Sequence, residues 1–454
     1  MAEVPDHGTI TRQGNGFYGW LVAIASHICY LFVFGMMTAT GVLVVAIQQS
    51  FDYSSARVSW IISLQFLFQL TIGPVTNVIV KKIGFRMTVV IGTLAAIVGM
   101  FLSAFANSVE FLYFSHGTLV GFGYGLVTPV ALGIVPLYIN HNFVVAIAIV
   151  QTGSGIGNLM FPHVMQSLID YYGWRGASIV FAAIHANMLI PAALFKAPNG
   201  QRGRTVPKTE KITTVELESD SESENETKGR RSSTFSDLRK ILTLCDCSLF
   251  VKHPMFIAYT VSRFFDGLGF SGSVMHLIAR ARELRIGTDK EIATVASVFA
   301  IGGLLGKMSV PLFVKFSCKC LTTLRLFGLT YLMAGAADIL SAVSTTYVLY
   351  TVFAFSLGFL SGIFYTLLAQ VLKDMLGPAM VTAAVSLSSP FEAIGGLIGP
   401  PCAGALFDLT GDYNYSFYFY GASLLISGSV LLICDLFKRR RQVGRTGYTV
   451  PTLQ

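Results

Sequence analysis

The sequence contains few charged residues. Asp, Glu, Lys and Arg together make up 12% of its 454 residues, whereas hydrophobic residues make up 53%. A soluble domain carries about 25% charged residues, because charge covers its surface. The deficit therefore argues against the two or three soluble domains that a chain of about this length would otherwise form. Such an excess of apolar side chains is typical of helices that face lipid.

The sequence also lacks the cysteine pattern of a disulfide framework or of a zinc site. It has seven cysteines, an odd number, and Cys245 and Cys247 form only an isolated Cys-x-Cys pair. We therefore expect reduced thiols, no bound metal and no cofactor. The first fifteen residues are polar and lack the apolar core of a cleavable signal peptide, so the first apolar segment is expected to stay in the membrane.

The net charge of +8 does not indicate nucleic-acid binding, because the basic residues form short clusters between apolar segments. One cluster comprises Lys81, Lys82 and Arg86, and another spans 438–441. Basic loops of this kind mark the cytosolic side of a membrane protein. The pattern predicts that both termini and the central polar segment lie in the cytosol.

Twelve apolar segments are long enough to cross the lipid bilayer, whose hydrocarbon core of ~30 Å needs about twenty helical residues. They predict an all-α polytopic membrane protein built from two six-helix bundles. The segments cover approximately 17–48, 56–80, 87–106, 110–138, 142–168 and 175–195, followed by 253–279, 291–313, 322–343, 346–371, 378–406 and 415–437.

A long polar segment separates the two groups of six. It is rich in Glu, Ser and Lys, and a segment of such low hydrophobicity is not expected to fold alone. The predicted organisation is a cytosolic tail 1–16, an amino-terminal bundle 17–196, a disordered cytosolic linker 197–250, a carboxy-terminal bundle 251–437 and a cytosolic tail 438–454.

A motif of the fifth segment recurs in the eleventh. Pro162, Asp170 and Gly173 form a Pro-x7-Asp-x2-Gly pattern, and the same pattern begins at Pro400 in the second half. Duplicated halves with a binding site near the membrane midplane are typical of secondary transporters. The repeat therefore favours a transporter over a membrane enzyme, for which no nucleophile–base arrangement is present in the sequence.

Four further motifs, spread over both halves, share the pattern of one family. They are Asn15-Gly16-Phe17-Tyr18-Gly19-Trp20, Val58-Ser59-Trp60-Ile61, Gly173-Trp174-Arg175-Gly176, and the run from Gly399-Pro400-Pro401 to Gly411-Asp412-Tyr413. Together they resemble the monocarboxylate transporter family (solute carrier family 16) of the major facilitator superfamily. The resemblance implies the superfamily fold and transport of a small organic solute across the plasma membrane. Some members of this family require a single-span glycoprotein escort, which is therefore a candidate partner.

The resemblance also bears on the coupling of transport to protons. Proton-linked members rely on a lysine in the first span and on an Asp/Arg pair in the eighth. Here Thr38 takes the place of the lysine, and Gly303 and Lys307 take the places of the pair. The resemblance thus implies uncoupled, facilitative transport of a monocarboxylate, an amino acid or a related zwitterion. The alternatives are a proton-coupled symporter using Lys307 and Glu392, and a membrane solute sensor that does not transport.

Ionisable side chains inside membrane spans are energetically costly, so each is a candidate for function. Arg263 and Asp266 lie three residues apart in the seventh segment, which places them on one helix face. An arginine there can hold a substrate carboxylate through two hydrogen bonds. We predict that Arg263 binds the solute; the alternative is a structural ion pair with Asp266.

Other residues complete the predicted site. Lys307 is a second candidate for the counter-charge of the solute. The alternative is that its long side chain extends to the lipid headgroups and places the ammonium there. Glu392 either takes up a proton during transport or pairs with a basic group. The predicted substrate-binding residues are Arg263, Asp266, Lys307, Thr38, Tyr30 and Glu392.

Basic residues after the second span are predicted to act as a gate. The segment that ends in Lys81, Lys82 and Arg86 resembles the superfamily's loop between the second and third spans. We predict that these side chains pair with carboxylates of neighbouring helices in one state and release them in the other. No catalytic residue is predicted.

Overall fold

The computed structural model describes residues 16–51, 53, 55–196, 248–316 and 322–446. Every regular element among them is a helix. The tail 1–15, the linker 197–247 and the last residues from 447 lie outside the described part, so the predictions made for them remain predictions.

Among the described residues, the amino-terminal half comprises nine α-helices. They are α1 (Phe17–Phe51), α2 (Ser55–Thr71), α3 (Gly73–Ile83), α4 (Phe85–Ser103), α5 (Val109–Leu112), α6 (Gly121–Gly133), α7 (Val135–Tyr138), α8 (Phe143–His185) and α9 (Leu189–Leu194). A π-helical segment, Tyr113–Val120, joins α5 to α6, and a 3-10 turn, Ala186–Met188, joins α8 to α9.

The described part of the carboxy-terminal half comprises seven more α-helices. They are α10 (Ser248–Lys252), α11 (Pro254–Glu283), α12 (Asp289–Phe316), α13 (Thr323–Leu340), α14 (Tyr347–Leu376), α15 (Val381–Thr410) and α16 (Tyr413–Thr446). Short 3-10 turns follow α13 at Ser341–Val343 and precede α15 at Pro378–Met380.

The helices account for twelve membrane spans. Nine helical stretches in the described ranges are long and apolar enough to cross a membrane, and a tenth span is the pair α2 and α3, bent by 49°. Pro74 at the start of α3 explains the bend, because proline removes a backbone hydrogen bond. One of the nine stretches, Phe143–Leu194, has 52 residues and is interrupted at Gly173, so it forms two spans. The thirty residues of α11 form the twelfth span. The predicted all-α polytopic fold is confirmed.

The glycines of the internal repeat have a conformational role. Gly173 has φ +68° and separates the fifth span from the sixth, while Gly411 has φ +70° and ends α15. A backbone with positive φ strains residues that carry a Cβ atom, so glycine suits both positions. The repeat therefore marks the place where the fifth span and the eleventh span each end.

The two halves meet along α8 and α12 and along α15, which packs against α2, α3 and α6. The contact is close at the end of the bundles that carries the turns at Gly84 and Gly377. There Gly73 packs against the carbonyl of Ser386, and Gly133 packs against Thr382. The interface is closed at this end, which is the cytosolic end if the termini lie in the cytosol as predicted.

Candidate functional site

The side chain of Arg263 lies inside the carboxy-terminal bundle and not against lipid. It is 3% exposed, and Asp266 is fully buried. One guanidinium nitrogen pairs with Asp266 Oδ2 and the other with Glu392 Oε2 from α15. The three-residue spacing does place Arg263 and Asp266 on one helix face, as predicted. The structure adds a second carboxylate to the pair, so that Arg263 is held from two sides.

Aromatic side chains from two more helices complete this cluster. Tyr331 of α13 accepts a hydrogen bond of 3.2 Å from Arg263 Nη1. The ring of Tyr365 of α14 lies 5.6 Å from the guanidinium carbon, a distance at which a cation and a ring attract each other. The hydroxyl of Tyr365 donates to Glu392 Oε1 at 3.4 Å. Four helices, α11, α13, α14 and α15, therefore enclose one guanidinium.

Two glycines explain how α11 and α15 come close enough for the pairing. A Cβ atom on Gly267 would overlap the backbone carbonyl of Glu392, and one on Gly395 would overlap the carbonyl of Phe264. Small residues let helix backbones approach within a membrane. Gly267 lies about one turn from Arg263, so this approach brings the guanidinium within reach of the carboxylate on α15.

Lys307 lies at the interface between the two bundles. Its Nζ atom on α12 donates a hydrogen bond of 2.5 Å to the hydroxyl of Ser154 on α8. Ser154 is buried, with 3% exposure. Among the described residues, no carboxylate lies within ion-pair distance of this ammonium. The side chain thus contacts the opposite bundle, and its hydrogen-bond partner there is neutral.

A second contact links the region of Lys307 to the Arg263 cluster. Gln151, one turn before Ser154 on α8, donates a hydrogen bond of 2.9 Å to the backbone carbonyl of Tyr365. Tyr365 in turn contacts Glu392 through its hydroxyl. The predicted residues Lys307 and Glu392 therefore belong to one neighbourhood at the centre of the molecule, although they do not touch. Gln151, Ser154, Tyr331 and Tyr365 belong to it as well and were not among the predicted site residues.

The two predicted residues of α1 have different surroundings. Tyr30 is buried, packs against the ring of Phe34 at a centroid distance of 5.2 Å and lies within electrostatic range of Glu392. Thr38 is exposed, and its hydroxyl donates to the carbonyl of Gly35 in its own helix at 2.8 Å. The structure therefore brings Tyr30 to the central cluster but gives Thr38 only contacts within α1 among the described hydrogen bonds.

The predicted gating residues lie at the turn between α3 and α4. Lys81 is half-buried, whereas Lys82 and Arg86 are exposed. At the same end of the bundles, Lys373 of α14 joins the two halves. Its Nζ atom donates to the carbonyl of Asn140 at 2.9 Å and lies 4.4 Å from the ring centroid of Phe143. The sequence alone does not indicate this contact, because a lysine at the end of an apolar helix usually extends only to the lipid headgroups.

A separate buried cluster lies at the opposite end of α11. Arg280 is 1% exposed and donates to the hydroxyl of Ser341 at 2.5 Å and to Asn414 Oδ1 at 2.6 Å. Its guanidinium also lies 4.3 Å from the ring centroid of Phe417. These contacts connect α11 to α16 and to the turn after α13. Arg280 therefore stabilises the end of the carboxy-terminal bundle and makes no ion pair with the Arg263 cluster.

Three histidines of the amino-terminal bundle connect helices to one another, and two of them, His116 and His185, are buried. Their partners are Ile149 O for His27 at 2.6 Å, Thr40 for His116 at 3.2 Å and Tyr124 for His185 at 2.8 Å. Across the described ranges, no group of three or more His, Cys, Asp and Glu side chains has the geometry to hold a metal ion. The polar chemistry of the centre thus comes from Arg, Lys, carboxylate, amide and hydroxyl groups.

The family model described as the Major Facilitator Superfamily matches residues 27–337, about two thirds of the chain. Among curated proteins, monocarboxylate transporter 2 of Mus musculus is 29% identical over 429 residues, which cover 94% of this chain and 86% of that protein. Monocarboxylate transporter 13 of Rattus norvegicus is 29% identical over 435 residues, which cover 94% of this chain and 91% of that protein.

Solved structures of transporters share the fold. A variant of the fucose:proton symporter FucP of E. coli has a TM-score of 0.65 at 15% identity and covers 91% of this chain and 98% of its own. The proton:xylose symporter XylE, bound to 6-bromo-6-deoxy-D-glucose, has a TM-score of 0.68 at 13% identity. The match covers 92% of this chain and 96% of the XylE chain. At such identities the likeness concerns the fold alone. The resemblance seen in the motifs is confirmed, and the chain belongs to the major facilitator superfamily, with monocarboxylate transporters among its relatives.

Proposed function

We propose that this protein is a secondary transporter that moves a small carboxylate-bearing organic solute across the plasma membrane by alternating access. The duplicated twelve-span fold and the monocarboxylate transporters among its relatives support transport of a small organic solute. The proposal includes cytosolic termini, as the basic clusters indicate. It also includes a single-span glycoprotein escort as a candidate partner, which the resemblance suggests.

The proposal that the solute bears a carboxylate rests on the surroundings of Lys307. Lys307 is half-buried, and a charge that is largely withdrawn from water is energetically costly unless it has a partner of opposite charge. Lys307 has only the neutral hydroxyl of Ser154 as its described hydrogen-bond partner, so an anion at this point would gain a strong charge-assisted hydrogen bond. A solute carboxylate that enters between α8 and α12 would supply that anion.

Arg263 is the weaker candidate for the solute's counter-charge. Both of its terminal nitrogens already pair with carboxylates, those of Asp266 and Glu392. A solute would have to displace one of them from a buried site. Of the two predicted cations, Lys307 therefore has the larger electrostatic gain from binding an anion, and we assign Arg263 a structural part at the edge of the site.

The position of Lys307 suits alternating access. Its hydrogen bond joins the two bundles, and the interface is closed at the end where Gly73 packs against Ser386. Rocking of one bundle against the other would break the contact between Lys307 and Ser154 and expose the ammonium to each side in turn. A solute bound to Lys307 would therefore be released on the opposite side of the membrane after the change of state.

Uptake measurements with paired solutes test the proposal. The purified protein in proteoliposomes would be offered a panel of labelled monocarboxylates, amino acids and zwitterions, each beside the analogue in which a carboxamide replaces the carboxylate. We expect counterflow of one or more carboxylates and none of the matched amides. Equal transport of acid and amide would refute the carboxylate assignment, and binding without counterflow would refute transport itself.

A further inference from the structure

The cluster around Arg263 contains one cation and two acidic groups. Arg263, Asp266 and Glu392 are 3%, 0% and 6% exposed. If both acids were ionised, the cluster would carry one negative charge without a counter-charge among the described residues. An unbalanced charge in such an enclosed place is strongly unfavourable, and the usual result is that the group is neutralised.

Other ionisable groups that face the cluster do not balance that charge. They are Tyr259 from α11, Tyr331 from α13, Tyr365 from α14 and Tyr30 from α1. All four are phenols, which are neutral or negative. The nearest lysine at the interface, Lys307 of α12, donates to Ser154 and makes no ion pair with either acid among the described contacts.

One oxygen of Asp266 indicates what neutralises the cluster. Asp266 Oδ1 has no hydrogen-bond partner in the described part of the chain, and less than 1 Å² of it is accessible. A metal ion or a solute ammonium group needs space beside the oxygen that binds it, and this oxygen has none. A proton needs no such space.

We infer that the cluster is a proton-binding site, in which one of the two acids, Asp266 or Glu392, carries a proton while Arg263 stays charged. Glu392 is the route of exchange, because its side chain is 8% exposed and faces the hydroxyl of Tyr365, whereas Asp266 is completely enclosed. The inference does not depend on which solute the protein carries.

Infrared spectroscopy of the purified, full-length protein in lipid nanodiscs tests the inference without any solute. A protonated carboxyl group has a carbonyl stretching band that a carboxylate lacks, and exchange into deuterated water shifts it. The reference protein and every variant carry Asp338→Asn, because Asp338 is also fully buried, has only the hydroxyl of Ser273 as its described hydrogen-bond partner and could give a band of its own. At neutral pH we expect such a band in this reference protein. We expect its loss in Asp266→Asn and in Glu392→Gln, because either amide removes the excess negative charge and lets the remaining acid ionise beside Arg263.

A matched control is Asp435→Asn. Asp435 is also acidic and largely buried, but it pairs with Arg325 at 2.7 Å, so its charge is balanced and it lies outside the proposed proton site. The band should therefore persist in this variant. Asp266→Glu, which keeps a carboxyl group, should retain a band at a shifted position, which separates loss of the proton from loss of the fold.

Two outcomes would overturn the inference. One is the absence of a protonated carboxyl band from the reference protein at neutral pH. The other is a band that survives both Asp266→Asn and Glu392→Gln, because the proton would then reside elsewhere. Neither result would affect the carboxylate proposal, which is tested by transport.

Discussion

The ammonium of Lys307 lies 2.5 Å from the hydroxyl of Ser154, and this hydrogen bond crosses from one bundle to the other. A cation at the centre of the membrane protein thus has a neutral hydrogen-bond partner, while the arginine of the same neighbourhood has two acidic partners. On this difference rests the proposal that Lys307, and not Arg263, binds the anionic group of the solute. It also leads to separate predictions for the two residues.

Replacement of Lys307 by methionine should weaken the binding of a transported carboxylate. A hydrogen bond to a charged group contributes ~1.5–3 kcal/mol, so the apparent affinity should fall by about 10- to 100-fold. Lys307→Arg, which retains the charge, should retain part of the uptake. The measurement is concentration-dependent uptake, normalised to the amount of protein at the cell surface.

Lys315→Met is the control for Lys307, because Lys315 lies on the same helix but is exposed. The apparent affinity of the Lys315→Met variant for the transported carboxylate should equal that of the unmodified protein. An unaltered affinity in Lys307→Met would remove this lysine from the site.

Replacement of Arg263 by methionine should destabilise the protein, because two buried carboxyl groups would lose their shared cation. Removal of one partner from a buried ion pair costs about 3–5 kcal/mol. The triple variant Arg263→Met, Asp266→Asn, Glu392→Gln should recover most of this stability, since no charge is then left unpaired. Thermal unfolding of the purified variants measures both effects.

Arg325→Met provides the comparison for Arg263. Arg325 pairs with Asp435, but its side chain is 19% exposed, so water can replace part of the lost interaction. Arg325→Met should therefore lose less stability than Arg263→Met. If Arg263→Met is as stable as Arg325→Met, the cluster is not the strongly coupled unit described above.

Gly267→Ala should impair folding by separating α11 from α15. The added methyl group would overlap the carbonyl of Glu392, and overpacking of this kind costs about 1–3 kcal/mol. Gly404→Ala is the control, because no atom lies within 4 Å of a Cβ at that position. The yield of monodisperse protein after detergent extraction should fall for the first variant and not for the second. Equal yields would mean that the helices can move apart at little cost.

Lys373→Met should favour opening of the end that Lys373 closes. The substitution removes the hydrogen bond to Asn140 and the contact with the ring of Phe143, and a cation–ring contact contributes about 1 kcal/mol. A cysteine placed at Thr382, which is buried against Gly133 at the same end of the bundles, would report the change. In a background without the native cysteines, its labelling rate should rise about 5-fold, the equilibrium shift that ~1 kcal/mol produces.

Lys82→Met separates this effect from a general loss of positive charge. Lys82 lies at the same end of the bundles and is exposed. Its substitution should leave the labelling rate of the cysteine at 382 unchanged. A rise with Lys82→Met equal to that with Lys373→Met would favour the originally predicted basic gate instead.

Segment length and apolarity were enough to predict the twelve spans, because a helix that crosses lipid needs a certain number of apolar residues whatever surrounds it. The repeat likewise predicted equivalent places in the two halves, and Gly173 and Gly411 both adopt the positive φ that marks the end of a span. The shared face of Arg263 and Asp266 follows from helical spacing alone.

Only the tertiary structure decided which charges meet. Arg263 and Glu392 are 129 residues apart, and their contact depends on how closely α11 and α15 approach at Gly267 and Gly395. Helix rotation and approach are set by side-chain packing between helices, which the pattern of one helix does not specify. For the same reason the sequence ranked Arg263 above Lys307, whereas the fold gives two carboxylate partners to the arginine and leaves the lysine facing a serine of the other bundle.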